Sequence, residues 1–431
     1  MGNPRKCDEP LEHQPEHQQP VVQEDFQEGG YGWVVVVAVA LINAHTWGLN
    51  SSFAVFLAYY IKTNTFETSE LGYAFIGGLS ISIAFLVSPI ATFLAGWDKF
   101  GTRLTIFTGI IFEVISFVGS SFAVELWHII LTQGVSFGVG LGLIFVTSAP
   151  VPAQWFRKKR SLANGCVAAG SGFGGLVYSL ATNAMIENIG LAWTFRSLAI
   201  ICFVVNGVAC YFIRDRNKAL NSVHMAFNWK LFKRPSFVMF QLWLTLSLIA
   251  YAILVFSIVA YCQAVGLSSS RASLVGALFN PRTFAGCIVF ALLSGSVAGV
   301  MWATVTPICA EVVGIAMIPS ALSISWLVLV LPATFAEVIG LSLRTTGTWG
   351  YLDAQLFTGF LYIGAFIFGW ILRAWKVWEL EQARLDKEQR ELAIRDDGVV
   401  PSTELRRHAT RASTVKEKVV HLRGLWAIQR V

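Results

Sequence analysis

Few polar side chains interrupt the long apolar stretches of this 431-residue chain, and their spacing limits the chemistry available. Asn43, Trp47 and Asn50 stand at i, i+4 and i+7, one face of a helix, with His45 and Ser51 flanking them. Asn164, Ser171 and Tyr178 recur every seven residues and form a second such face. Both faces offer hydrogen-bond donors and acceptors without a fixed charge, which suits binding of a small organic compound. The competing reading is interhelical hydrogen bonding that serves packing alone. His45 can titrate near physiological pH, and a neutral, hydrogen-bonded ring is its expected state. Glu113 and Glu337 lie inside apolar segments, where a carboxylate is costly and marks a proton relay or a gate. Gln133, Tyr251, Trp302 and Trp326 are weaker site candidates, since aromatic side chains in such segments mostly pack.

Charged residues cluster between the apolar stretches. Asp98, Gly101 and Arg103 form D-x-x-G-x-R, a tight glycine turn with two charges that can bridge to neighbouring helix ends and gate a passage. Arg157, Lys158, Lys159 and Arg160 form a basic run suited to anchoring a cytoplasmic mouth or attracting anions. No H-E-x-x-H, G-x-S-x-G or G-x-x-x-x-G-K-[ST] occurs, so enzymatic and nucleotide-driven readings have no motif to rest on. The seven cysteines form no CxxC pair. No metal or cofactor is expected.

The elements that must position these residues follow from composition. Apolar residues make up 55% of the chain and charged residues 13%, against about 25% charged in soluble domains. Apolar runs of about 20 residues match the hydrocarbon core, where only helices or closed barrels satisfy the backbone. The fold class is therefore an all-α membrane protein. Spans are expected near 33–60, 70–95, 104–122, 128–152, 161–184 and 192–213, then near 236–262, 284–307, 319–342 and 350–373. Residues 1–32 and 374–431 read as tails, the first disordered, and 214–235 as a linker between two blocks of spans. Lys and Arg concentrate in alternate loops, which puts those loops and both termini in the cytoplasm. The net charge of +6 carries no aromatic-interleaved groove, so no nucleic-acid partner is expected. Lipid bilayer and a small organic substrate are.

Longer segments carry a resemblance. Asp98 to Arg103 resembles the loop motif of major facilitators. Glu28-Gly29-Gly30-Tyr31-Gly32-Trp33 and Trp155-Phe156-Arg157-Lys158-Lys159-Arg160-Ser161-Leu162-Ala163-Asn164-Gly165 are similar to two signatures of monocarboxylate transporters, with Tyr31 and Trp155 as departures. Asn43 to Ser52 resembles fungal members, some of secondary-metabolite clusters and one a riboflavin carrier. The resemblance implies a helical bundle of two related halves and transport by alternating access. The substrate would be a carboxylate or secondary metabolite, with or without a proton, at the plasma membrane or, alternatively, the vacuolar membrane. Animal members of the family place a lysine where Ser51 stands, so carboxylate pairing is not carried over. A non-transporting sensor or an inactive truncated paralogue is the alternative.

One departure concerns the span count. Ser268 to Asn280 resembles the opening of the family's span 8, yet Pro281-Arg282-Thr283-Phe284 reads as the start of span 10. About ten spans follow, a twelve-span plan lacking spans 8 and 9. Losing two consecutive crossings keeps parity, so the bundle inserts, with weak or no transport expected of this form. In-frame codons between Asn280 and Pro281 of the transcript would restore the missing spans.

Overall fold

The computed structural model describes residues 28–63, 65, 70–264, 299–343 and 352–396. Among these, eight helical stretches are long and apolar enough to cross a membrane. The first, Tyr31–Tyr60, is broken into α1 (Tyr31–His45), α2 (Trp47–Ser51) and α3 (Phe53–Thr63). The breaks have a local cause: Thr46 Oγ1 donates to the Ile42 carbonyl (2.8 Å) and Ser52 Oγ to that of Leu49 (2.7 Å). Such back-bonding bends helices. The second stretch divides at Val87 into α4 (Glu70–Leu86) and α5 (Ser88–Gly96), where Pro89 lacks the N–H that would continue the ladder. Then come α6 (Gly101–Ser120), α7 (Leu126–Ile129), a π-helical turn at Ile130–Ser136, and α8 (Phe137–Ser148).

The expected fifth span is α9 (Arg160–Ile189), long enough but less apolar than its neighbours because of its Gly, Ser and Asn content. A Cβ on Gly170 or Gly174 would overlap the carbonyls of Ala40 and Ala44, so these glycines let α9 lie directly on α1. Next are α10 (Leu191–Phe212) and, beyond the linker, α11 (Pro235–Ala264). The 284–307 span is described only at its end, within α12 (Val300–Val313). The segment carrying the span-8 reading lies outside the described residues. A second broken pair, α13 (Ile318–Val328) and α14 (Val330–Ser342), divides at Leu329, shortly before Pro332. Finally α15 (Leu352–Asp396) is a single rod, so the last span and the charged segment after it are one helix rather than two elements.

Helices α4 and α5 pack against α14 and α13, and α9 packs against α12, joining the segments before and after the linker. Phe93, Ile115, Phe203 and Phe366 remain exposed on the bundle surface, an apolar skin suited to hydrocarbon.

Candidate functional site

The two longest motif segments meet at the basic end of the bundle. Glu28 Oε1 accepts the backbone N–H groups of Arg157 (2.9 Å) and Lys158 (2.7 Å). Burial acts to raise the Glu28 carboxyl, yet the amides of Lys158, Arg157 and Lys159 and the Lys158 charge outweigh it and hold the group below the ordinary carboxylate range. Tyr31 packs on Trp155 (5.8 Å between centroids) and Trp33 on Phe156 (4.9 Å), with Gly32 allowing the approach. Arg214 covers the Tyr31 ring at 4.5 Å, and Trp155 Nε1 donates to the Arg214 carbonyl (2.9 Å). Arg157, Lys158 and Lys159 are exposed, whereas Arg160 is buried.

The span-1 stripe does not face one direction, because the break at Thr46 turns its two ends apart. Asn43 is buried and donates to the Val167 carbonyl of α9 (3.2 Å). Half-buried Asn50 accepts from Ser80 of α4 (3.1 Å). Ser51 donates to the Trp47 carbonyl (3.0 Å). His45 Nδ1 pairs with the Leu41 carbonyl (2.8 Å), which fixes that nitrogen as the donor, and its ring meets Tyr178 edge-on at 5.5 Å. That contact joins the two candidate faces. Asn164 and Ser171 donate back to Arg160 and Ala168 of their own helix. Gln133, in the π-helical turn, donates to Tyr60 Oη (3.1 Å). Fully buried Glu113 accepts from Asn206 Nδ2 (2.9 Å) at one oxygen, and the other oxygen has no partner among the described residues.

Trp47 instead points into a ring cluster that joins the segments on either side of the linker. Its centroid lies 5.2 Å from Phe145, 6.2 Å from Phe85 and 5.3 Å from Trp302. Phe85 stacks on Trp326 at 5.3 Å and 12°, and Trp326 on Trp302 at 6.0 Å and 20°. Trp302 also meets Tyr251. The indole N–H groups of Trp47 and Trp326 are buried without partners among the described residues. Beside the rings, Ser82 pairs with Thr334 (2.6 Å), and Ser88 donates to the Ser323 carbonyl (2.9 Å). The weaker sequence candidates Trp302 and Trp326 thus lie closer to the seam between halves than Asn43 does.

At the basic end the seam is ionic. Arg160 lies 3.4 Å from Glu311 at the end of α12, and Glu311 lies 3.5 Å from Lys376 of α15. The Arg160 and Lys376 side chains are 7% and 17% exposed, but Glu311 is 53% exposed, so the triad remains open to solvent screening. Sequence reading missed Glu311, which ends an apolar run and whose partners come from helices remote in the chain. Arg103 donates to the Ile213 carbonyl (2.8 Å), tying α6 to the end of α10 within the first half. Gly101 starts α6 with φ +70°, and Asp98 is exposed. Glu337 lies in α14, its side chain outside the described set.

The linker laces this end. Gln154 bonds Asn217 and the Arg216 amide, both at 2.7 Å. Val223 N donates to Ala316 (2.7 Å), and Ser320 Oγ to the Val223 carbonyl (2.6 Å). His224 lies over Gly96, and burial pushes its imidazole pKa down. The cavity beside it, lined in part by Thr92, Thr147 and Asn217, measures about 10 Å³, room for a single water and no organic compound.

Residues 35–370 match the Major Facilitator Superfamily. The probable transporter MCH2 of Saccharomyces cerevisiae is 31% identical over 397 residues, 81% of this chain and 84% of that protein. The uncharacterized transporter ESBP6 of the same yeast is 31% identical over 81% of this chain, which spans 60% of that relative's length. The solved structure of the proton:xylose symporter XylE has the same fold, with a TM-score of 0.55 over 78% of this chain and 94% of that one at 14% identity. The family match covers most of the chain and the bundle repeats the symporter's fold, so the chain belongs to the Major Facilitator Superfamily and is a multi-pass secondary transporter.

Proposed function

We infer that this protein moves a small organic compound, a carboxylate or a secondary metabolite, in the manner of monocarboxylate permeases. The two halves rock about the seam around Trp47, and no covalent chemistry is involved. The observation that carries this reading is the nature of the contact between halves. Rings, hydrogen bonds and a half-exposed ion triad close it, all contacts that can part and re-form. Asn50, Ser51, His45 and Tyr178 flank the ring cluster on the first half and would meet substrate as the seam opens. Asn43, Asn164 and Ser171 would support them from behind.

Arg160, Glu311 and Lys376 act as the cytoplasmic lock in this reading. The Asp98–Gly101–Arg103 loop holds α6 to α10 so that the first half moves as one body, and Glu337 gates from α14. Arg157, Lys158 and Lys159 anchor the mouth at the cytoplasmic lipid surface. Both termini then lie in the cytoplasm, with the plasma membrane as the site of action. In a proton-coupled version, His45 and Glu113 are the titratable groups available inside the spans. Proteoliposomes should move a labelled organic acid or pigment faster than protein-free vesicles. Replacing Glu311 by Gln should alter the maximal rate and leave apparent affinity alone. Flux equal to that of empty vesicles across both compound classes would contradict the reading.

A further inference from the structure

The ring cluster has two properties that packing alone does not require. First, its rings lie nearly parallel where the halves meet: Phe85 of α4 faces Trp326 of α13 at 12°, and Trp302 continues the stack at 20°. Second, two indole N–H groups, on Trp47 and on wholly buried Trp326, have no acceptor among the described residues. Phenylalanine would offer a smaller ring with no donor to satisfy, and an indole N–H can only donate. Buried donors left unmade are destabilising, so both tryptophans are poised for an acceptor that arrives from outside the chain.

The Phe85–Trp326 and Trp47–Trp302 contacts both cross the seam, so both faces are uncovered when the halves part. A flat ring entering there makes two van der Waals contacts of about 3.5–4 Å, replacing the ring-on-ring contacts that are lost. The described ion pairs lie at the basic end or farther along α15, and none belongs to the cluster. Among the described residues, a charged group at the rings would therefore find no ion-pair partner.

We propose that the seam between Phe85 and Trp326 is a binding slot for a flat, uncharged, aromatic or conjugated compound. The compound carries a hydrogen-bond acceptor for Trp326 or Trp47. This deepens the transporter reading and rests on it. It sets the substrate apart from small aliphatic acids: flatness is selected by the parallel rings, and the acceptor by the indole donors.

The test is calorimetric binding to the full-length protein in lipid nanodiscs. Coumarin, which is planar with a lactone carbonyl, should bind about tenfold more tightly than octahydrocoumarin, which keeps the carbonyl but is not flat. Trp326→Phe, which keeps a ring and removes the N–H, should weaken both lactones about fivefold, since both carry the carbonyl, and leave the preference for coumarin in place. Trp47→Phe provides the same comparison should the Trp326 variant fail to fold. Equal binding of the two lactones, no change in either tryptophan variant, or preferential binding of L-lactate would overturn the slot and leave the transporter reading standing. Binding of none of the three compounds would also overturn the slot. The transporter reading would fall separately, if proteoliposomes moved labelled compounds no faster than protein-free vesicles.

Discussion

At mid-depth the halves of this transporter meet through stacked rings, whereas at the basic end they meet through charges and hydrogen bonds. Rings attract over short distances with little directional demand, so the cluster can slide and re-form, but it leaves a void if a ring is deleted. The ion triad is directional and half in solvent, so it adds little stability and a single substitution breaks it. The comparison teaches a division of work. In the proposed mechanism, the middle of the seam determines whether the bundle holds together and what fits in it, and the basic end biases which side is open.

The largest effect should come from the middle. Trp326→Ala deletes a wholly buried indole from the stack, a change that costs about 3–5 kcal/mol in protein cores. The melting temperature in detergent should fall sharply, and less so in Trp326→Phe, which keeps a smaller ring in the stack. Equal melting of the two variants would remove the packing half of the contrast. Next comes Glu311→Gln, which uncouples Arg160 and Lys376 together at about 1 kcal/mol, about fivefold in the balance between closed and open basic ends. The charge swap of Glu311→Arg with Arg160→Glu should recover part of that bias. A swap no better than the single change would show that Arg160 acts through other contacts.

Much of the fold was legible beforehand because lipid leaves apolar runs few structural options. Thr46, Ser52 and the prolines 89 and 332 break helices that the sequence reading took as continuous spans, so the turning of the span-1 stripe went unread. A strict helical period holds only along an unbroken helix, and Asn43 and Asn50 lie on either side of a break. Glu311 escaped notice for another reason. Its role comes from Arg160, 151 positions away, and from Lys376 on a helix that the charge pattern assigned to a solvated tail. The docking of Glu28 on Arg157 and Lys158 likewise joins two signatures that sequence could recognise but not bring together.

That docking gives a smaller, pH-dependent effect. The Glu28 carboxyl is held below its ordinary range, so its contribution is present above the unfolded carboxylate value of about 4.3 and is lost as pH falls through the lower folded value. Hydrogen exchange at the Arg157 and Lys158 amides should rise relative to neighbouring helical amides under acid conditions. It should already be raised at neutral pH in Glu28→Gln. Protection unchanged in that variant would place the docking energy in the Tyr31 and Trp33 ring contacts instead. The smallest effect belongs to Asp98→Asn: Asp98 is exposed and forms no ion pair among the described residues, so the balance of states should shift by less than about twofold. A shift larger than that of Glu311→Gln would move the lock from the triad to the loop.

The central claim is that two bodies part at the basic end under the control of the ion triad. Spin labels on Lys158→Cys and Glu381→Cys, both exposed and on opposite sides of the seam, report it directly once the native cysteines are replaced. Distances measured in nanodiscs should show a main short population and a minor longer one, with Glu311→Gln raising the longer-to-shorter ratio about fivefold. One distance distribution, identical in the parent and in Glu311→Gln, would contradict the account.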